Sequence, residues 1–242
     1  MANISEPRDT RPPPAWMLLR ECAALMARFY RAFGAMGERG PADGPKLMVI
    51  PGFLATDRTT LGLQRALAEA GYRVTGWGLD LNSGARADTI ERIVERLERF
   101  GAGEPVILVG WSLGGIYARE VAKTRPDLVA KVVTMGSPFS GNRRANNVWR
   151  LYELVAGHPV DDPPIATVLE EKPPVPTLAL WSRQDGIVAV DCARGEAGER
   201  DHHVELDCSH MGFAVSARAF PGIVEAIRSF APPSSHEEER AA

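Results

Sequence analysis

Val106-Ile107-Leu108-Val109-Gly110-Trp111-Ser112-Leu113-Gly114-Gly115 is the stretch from which the rest of this chain is read. Residues 106–109 are aliphatic and mostly β-branched, the composition of a strand buried on both faces. Gly-x-Ser-x-Gly follows at 110–114, and Ile116, Ala118, Val121 and Ala122 then recur at helical spacing until Pro126 stops the run. A strand that passes into a helix through so short a turn needs small residues at Gly110 and Gly114. It leaves the Ser112 oxygen projecting from a strained backbone, the geometry of a nucleophile elbow. The N–H of Leu113 then stands at the start of a helix, where negative charge is favoured.

A serine hydroxyl is a weak nucleophile until a base takes its proton. The elbow therefore predicts an acid and a histidine further along, in the order Ser, Asp or Glu, His. The strand Pro176 to Trp181 runs into Ser182-Arg183-Gln184-Asp185, which places Asp185 on the loop at that strand's carboxyl end. The last strand, ending at Leu206, runs into Asp207-Cys208-Ser209-His210, which places His210 on the equivalent loop before the final helix. Asp185 would hold the imidazole in the productive tautomer and stabilise the imidazolium. Asp191 lies well beyond the strand end and Asp207 is crowded against the histidine loop, so both are weaker candidates for the acid. An oxyanion needs a second donor from the loop after the strand beside the elbow strand. Pro51-Gly52-Phe53 is that loop, with the N–H of Phe53 facing that of Leu113.

Around these residues the chain alternates. Strands are expected at 46–50, 73–77, 106–109 before the elbow, 131–135, 177–181 and 204–206, with helices at 60–70, 88–100, 115–124 and from Phe213 to about Phe230. Repeated βα units imply an α/β domain at 46–230 with a mostly parallel six-stranded sheet flanked by helices. Before it, residues 1–14 read as a flexible, proline-rich lead. Residues 15–45 read as an amphipathic helix to about Met36 and a linker, with Arg20, Glu21, Arg28 and Arg31 off the apolar face. That helix is expected to pack on the domain; membrane-surface contact, dimerisation and a mobile lid are the alternatives. Residues 231–242 read as a disordered tail.

The segment 139–175 is too long for an idle connection and leaves a strand at its carboxyl end, so it reads as a short cap. Its helix at 148–156 offers Trp149, Leu151, Tyr152 and Leu154 either to an acyl pocket or to plain packing on the core.

Net charge is −3 over 242 residues, so there is no basic footprint for nucleic acid. No apolar run of about 18 residues spans a membrane, residues 1–14 read as a poor secretory signal, and a cytoplasmic location is expected. The 3 cysteines are too scattered for a disulfide scaffold or a paired zinc site. A bridge between Cys192 and Cys208 is open to the extent that their loops converge; a reducing compartment argues against it. Asp201-His202-His203 lacks the further clusters of a metal phosphoesterase, and His158, Asp161 and Asp162 lie in a proline-rich loop, so no metal and no other cofactor are expected.

The span from Lys46 to Phe230 resembles the α/β-hydrolase superfamily, and within it the lipase and esterase-like serine hydrolases. The likeness is carried by PGF at 51–53, GWSLGG at 110–115, MGSPFSG at 135–141, SRQDGIV at 182–188 and SHMGF at 209–213. With NVWRLYEL at 147–154, the pattern is similar to a group of small bacterial members that mostly lack an assigned substrate. The resemblance implies hydrolysis of a small-molecule carboxylic ester, with an apolar acyl group, through an acyl-enzyme on Ser112. The same residues serve thioesterases, acyltransferases and carbon–carbon hydrolases, and a non-catalytic binding protein of the same fold is a further alternative. There are two departures from the pattern. Pro51 stands where members often carry His, and the usual antiparallel opening strands are replaced by the helix at 15–36.

Overall fold

Aliphatic runs become strands: β1 Lys46–Ile50, β2 Arg73–Gly76, β3 Val106–Trp111, β4 Val129–Met135, β5 Thr177–Trp181 and β6 His202–Glu205. A computed structural model describes residues 11–26, 37–165 and 167–230, without the side chains of residues 22–26. Most of the expected lead, the helix beyond Met26 and the expected tail lie outside the described residues. The strands form one sheet in the order β2-β1-β3-β4-β5-β6, and every neighbouring pair is parallel.

Strand side chains alternate between two apolar layers, as the period of two requires. Leu47, Val49, Val109, Met135 and Leu180 face the layer built by α2 (Leu61–Glu69), α7 (His210–Val215) and α8 (Phe220–Ser229). Met48, Ile50, Leu108 and Val132 face the opposite layer, built by α3 (Thr89–Gly101) and α4 (Leu113–Thr124). Helices on both faces explain why β1 and β3 are buried at every position and read as unbroken apolar runs rather than alternating ones.

Three further α-helices are α1 (Ala15–Met26), α5 (Trp149–Ala156) and the five-residue α6 (Val190–Arg194), which has no counterpart in the sequence reading. The single helix expected from Phe213 to Phe230 is two. Ser216 takes extended angles, and Pro221 sits in the first turn of α8, where its missing N–H costs nothing. At the β2 edge, Arg39 forms an antiparallel bridge with Val74 through two backbone hydrogen bonds of 2.7 and 2.8 Å.

The strand order places the site. The chain goes from β1 outward to β2, then returns to the other side of β1 to form β3. In open parallel sheets, such a reversal opens a crevice at the carboxyl ends of the two strands involved. The loop beginning at Pro51 and the turn at Ser112 leave β1 and β3 at that crevice.

Candidate active site

Ser112 has φ 54° and ψ −123°, a left-handed conformation that a side chain adopts at a cost on the order of 1–3 kcal/mol. The surroundings enforce it. Its N–H donates to the Met135 carbonyl at 2.9 Å, and α4 begins at the next residue. A Cβ at Gly114 would lie 2.3 Å from the Ile50 carbonyl oxygen, and one at Gly110 would lie 2.3 Å from the Gly114 carbonyl oxygen. The requirement for small residues on both sides of the serine is therefore met by direct backbone crowding. A Cβ at Gly52 would lie 3.1 Å from the Ser112 Cβ, so the loop carrying Phe53 runs against the serine.

Asp185 and His210 meet at the ends of β5 and β6. Asp185 Oδ2 lies 2.7 Å from His210 Nδ1, and both side chains are buried. Asp185 Oδ1 accepts the backbone N–H groups of Ile187 and Val188, each at 2.8 Å, which fixes the carboxylate while its other oxygen serves the imidazole. The His210 carbonyl accepts the Trp111 indole N–H at 3.1 Å, and the two rings lie 5.6 Å apart, so the histidine turn is tied to the residue before Ser112. Among the described residues no hydrogen bond joins Ser112 Oγ to His210. Burial works against protonation of His210, but the Asp185 carboxylate, and then Glu21, outweigh it, and its pKa lies above the ordinary 6.5.

The other acids and histidines stand apart. Asp191 pairs with Arg194 on the surface, and Asp207 accepts from Gln184. His158 meets Tyr152 and the Ala85 carbonyl, His203 accepts the Trp181 indole N–H, and His202 stacks on Phe230. Cys192 and Cys208, between which the sequence leaves a bridge open, are both buried free thiols in different apolar clusters. Burial pushes them up to about 11 and about 12 respectively.

A cavity of about 90 Å³ opens beside Ser112 and Leu113, of the order that holds one small apolar group. Phe53, Ile116, Tyr117, Trp149, Tyr152 and Ile165 are among the residues of its apolar wall. Phe53 and Tyr152 touch at a ring distance of 5.2 Å, and Tyr152 Oη accepts the N–H of Ala85 at 3.2 Å, which seats α5 over the crevice. Of the four α5 residues proposed for the pocket, Trp149 and Tyr152 line it. Leu151 and Leu154 do not; they are 45% and 80% exposed, because the helical period turns them to the outer face. The cap segment is held by the buried Arg119 and the half-buried Arg143. Arg119 donates to the carbonyls of Leu169 and Glu171, and Arg143 to those of Val160 and Thr167.

Periodicity sets Glu21 among the polar positions of α1, off its apolar face, yet it is 2% exposed. Its Oε1 accepts the N–H of His210 at 2.8 Å and of Gly186 at 3.2 Å, and its Oε2 accepts the N–H of Met211 at 2.9 Å. Helical periodicity separates polar from apolar positions, and a carboxylate buried on backbone donors looks the same in sequence as one in water.

Among the described residues, no helix is long and apolar enough to cross a membrane. The family model described as alpha/beta hydrolase fold matches residues 45–156, which include Phe53, Ser112 and α5 and end before Asp185 and His210. Carboxylesterase CesB (YbfK) from Bacillus subtilis has a similar structure, with a TM-score of 0.55 at 15% identity over 80% of this chain and 85% of its own. The thioesterase domain from the curacin biosynthetic pathway also has a TM-score of 0.55 at 15% identity, over 80% of this chain and 94% of its own. Polyneuridine aldehyde esterase has a TM-score of 0.54 at 16% identity, over 76% of this chain and 100% of its own. At these identities the likeness is one of fold. Six parallel strands in this order, helices on both faces, a strained serine turn after β3 and the match of the family model give the chain the α/β-hydrolase fold.

Proposed function

We propose that the protein is a serine hydrolase that cleaves carboxylic esters with a small apolar acyl group. The observation that carries this reading is the buried Asp185–His210 pair at the same sheet edge as a strained serine that opens on an apolar cavity. In this reading Ser112 Oγ attacks the ester carbonyl carbon while His210 Nε2 takes its proton. Asp185 holds Nδ1–H and stabilises the imidazolium. The carbonyl oxygen becomes an oxyanion between the N–H groups of Phe53 and Leu113, which are favourable because they act where charge develops. His210 gives the proton to the departing alkoxide, leaving an acyl group on Ser112. Water then attacks that acyl group with His210 as base, and the acid leaves. The acyl chain lies in the cavity against Trp149 and Tyr152.

The ester reading is tested by turnover of aryl esters of graded acyl length alongside a thioester of the same acyl group. Faster hydrolysis of the oxygen ester supports it. A preference for the thioester by more than tenfold would assign the thioesterase alternative, and no turnover of any member would remove the reading.

A further inference from the structure

We infer that Glu21 is a positioning residue that clamps the Asp185 loop to the His210 turn from outside the sheet. This rests on the proposed roles of Ser112, Asp185 and His210. The loops it joins follow β5 and β6, and β6 is the edge strand, four residues long and only partly covered. A histidine on a turn after such a strand has little support from the sheet itself. Glu21 supplies that support by binding the backbone of His210 and Met211 on one side and of Gly186, the neighbour of Asp185, on the other.

The contacts around Gly186 extend the clamp. A Cβ there would lie 2.6 Å from the Met17 carbonyl oxygen, so α1 packs directly on this loop and only glycine leaves it room. Asn147 Nδ2 donates to the Gly186 carbonyl at 2.8 Å and to the Pro13 carbonyl at 2.9 Å, which joins the cap segment and the start of α1 at the same point.

The chemistry requires a carboxylate and not merely its shape. Three N–H groups face its two oxygens, and an ionised carboxyl presents acceptors alone. A glutamine would turn an NH₂ group toward at least one of these donors. The negative charge also favours the imidazolium that forms when Ser112 loses its proton. The titratable groups facing His210 are Asp185 from the loop after β5 and Glu21 from α1; Cys208 on its own turn stays a neutral thiol, and Asp207 is turned to Gln184.

Wild type, Glu21→Gln and Glu21→Asp in the full-length chain are compared in three measurements: kcat and KM on an aryl acetate as a function of pH, the rate of fluorophosphonate labelling, and amide exchange by mass spectrometry. Glu21→Gln is expected to lower kcat on the order of 10- to 100-fold, the effect of losing charge-assisted hydrogen bonds, with KM little changed. Its acid limb moves to lower pH, and exchange accelerates at 182–188 and 207–212 but not in β1 or β3. Glu21→Asp keeps the charge but not the reach, so it retains the wild-type acid limb while losing rate. If Glu21→Gln does not fold, Glu21→Asp decides: slower turnover with looser loops supports the clamp, and wild-type values for both overturn it. A folded Glu21→Gln with unchanged kcat, acid limb and exchange overturns it outright. A loss of kcat with an unmoved acid limb overturns the electrostatic part. If wild type neither turns over esters nor takes the label, the reading of the site has failed, and the exchange contrast still decides the clamp.

Discussion

Asp185 divides its two oxygens: Oδ2 meets His210 Nδ1 at 2.7 Å, while Oδ1 is held by the backbone N–H groups of Ile187 and Val188. The carboxylate thus stays in place and orients the imidazole. Asp185→Asn is expected to lower kcat by about 10³- to 10⁴-fold with nearly unchanged substrate binding, because the imidazole loses both its orientation and its countercharge. Asp191→Asn and Asp207→Asn are expected to stay within a few fold of wild type. Steady-state kinetics on an aryl ester check this, and a collapse of either of the latter with a normal Asp185→Asn would assign the acid elsewhere.

Under the proposed mechanism the same pair sets the pH dependence. Only the neutral imidazole accepts the serine proton, so kcat/KM rises with pH as His210 loses its proton. The Asp185 and Glu21 carboxylates outweigh burial and raise the His210 pKa, which places the acid limb above the ordinary 6.5. A pH profile on a substrate that does not itself titrate measures the midpoint. An acid limb at or below 6.5 would mean that burial outweighs the two carboxylates.

Crowding at the elbow gives a stability prediction. A methyl at Gly114 would lie 2.3 Å from the Ile50 carbonyl and 2.7 Å from the Pro51 carbonyl, both backbone atoms with no side-chain freedom to yield. Gly114→Ala is expected to cost about 1–3 kcal/mol or more and to lower Tm. It also pushes apart the β1 loop and the serine turn, so activity falls further than stability alone explains. An unaltered Tm would show that the turn has slack.

Trp149 lines the cavity, while Leu154 on the same helix is 80% exposed. Trp149→Ala is expected to lower kcat/KM for butanoyl and hexanoyl aryl esters more than for the acetyl ester, with the gap widening by up to about 0.8 kcal/mol per methylene. Leu154→Ala leaves the ratio unchanged. An equal loss for all chain lengths in Trp149→Ala would make α5 a support for the fold and remove it from substrate recognition.

Legibility in the sequence followed how local each signal is. The strands and the serine turn were readable because their composition and spacing are local, and Asp185 and His210 followed from the order the elbow demands. The split of the last helix at Ser216 was missed although Pro221 lay in plain view. The apolar residues on both sides of it, Phe213 and Ile223, suit one continuous helix equally well. Trp149 and Tyr152 were separable in principle from Leu151 and Leu154, since three residues make nearly one turn, but which face meets the cavity depends on where the segment 139–175 folds back. Glu21 was beyond reach, because its partners are backbone N–H groups 165 to 190 residues away.

Covalent capture at Ser112 tests the central claim most directly. Wild type treated with a fluorophosphonate is expected to gain one adduct, on the peptide containing Ser112, and to lose ester turnover in proportion. Ser112→Ala is expected to fold normally, take no label and lose about 10⁴- to 10⁶-fold in kcat. A pure Ser112→Ala preparation that turns over esters at the wild-type rate, or an adduct on another residue with full loss of activity, would contradict it.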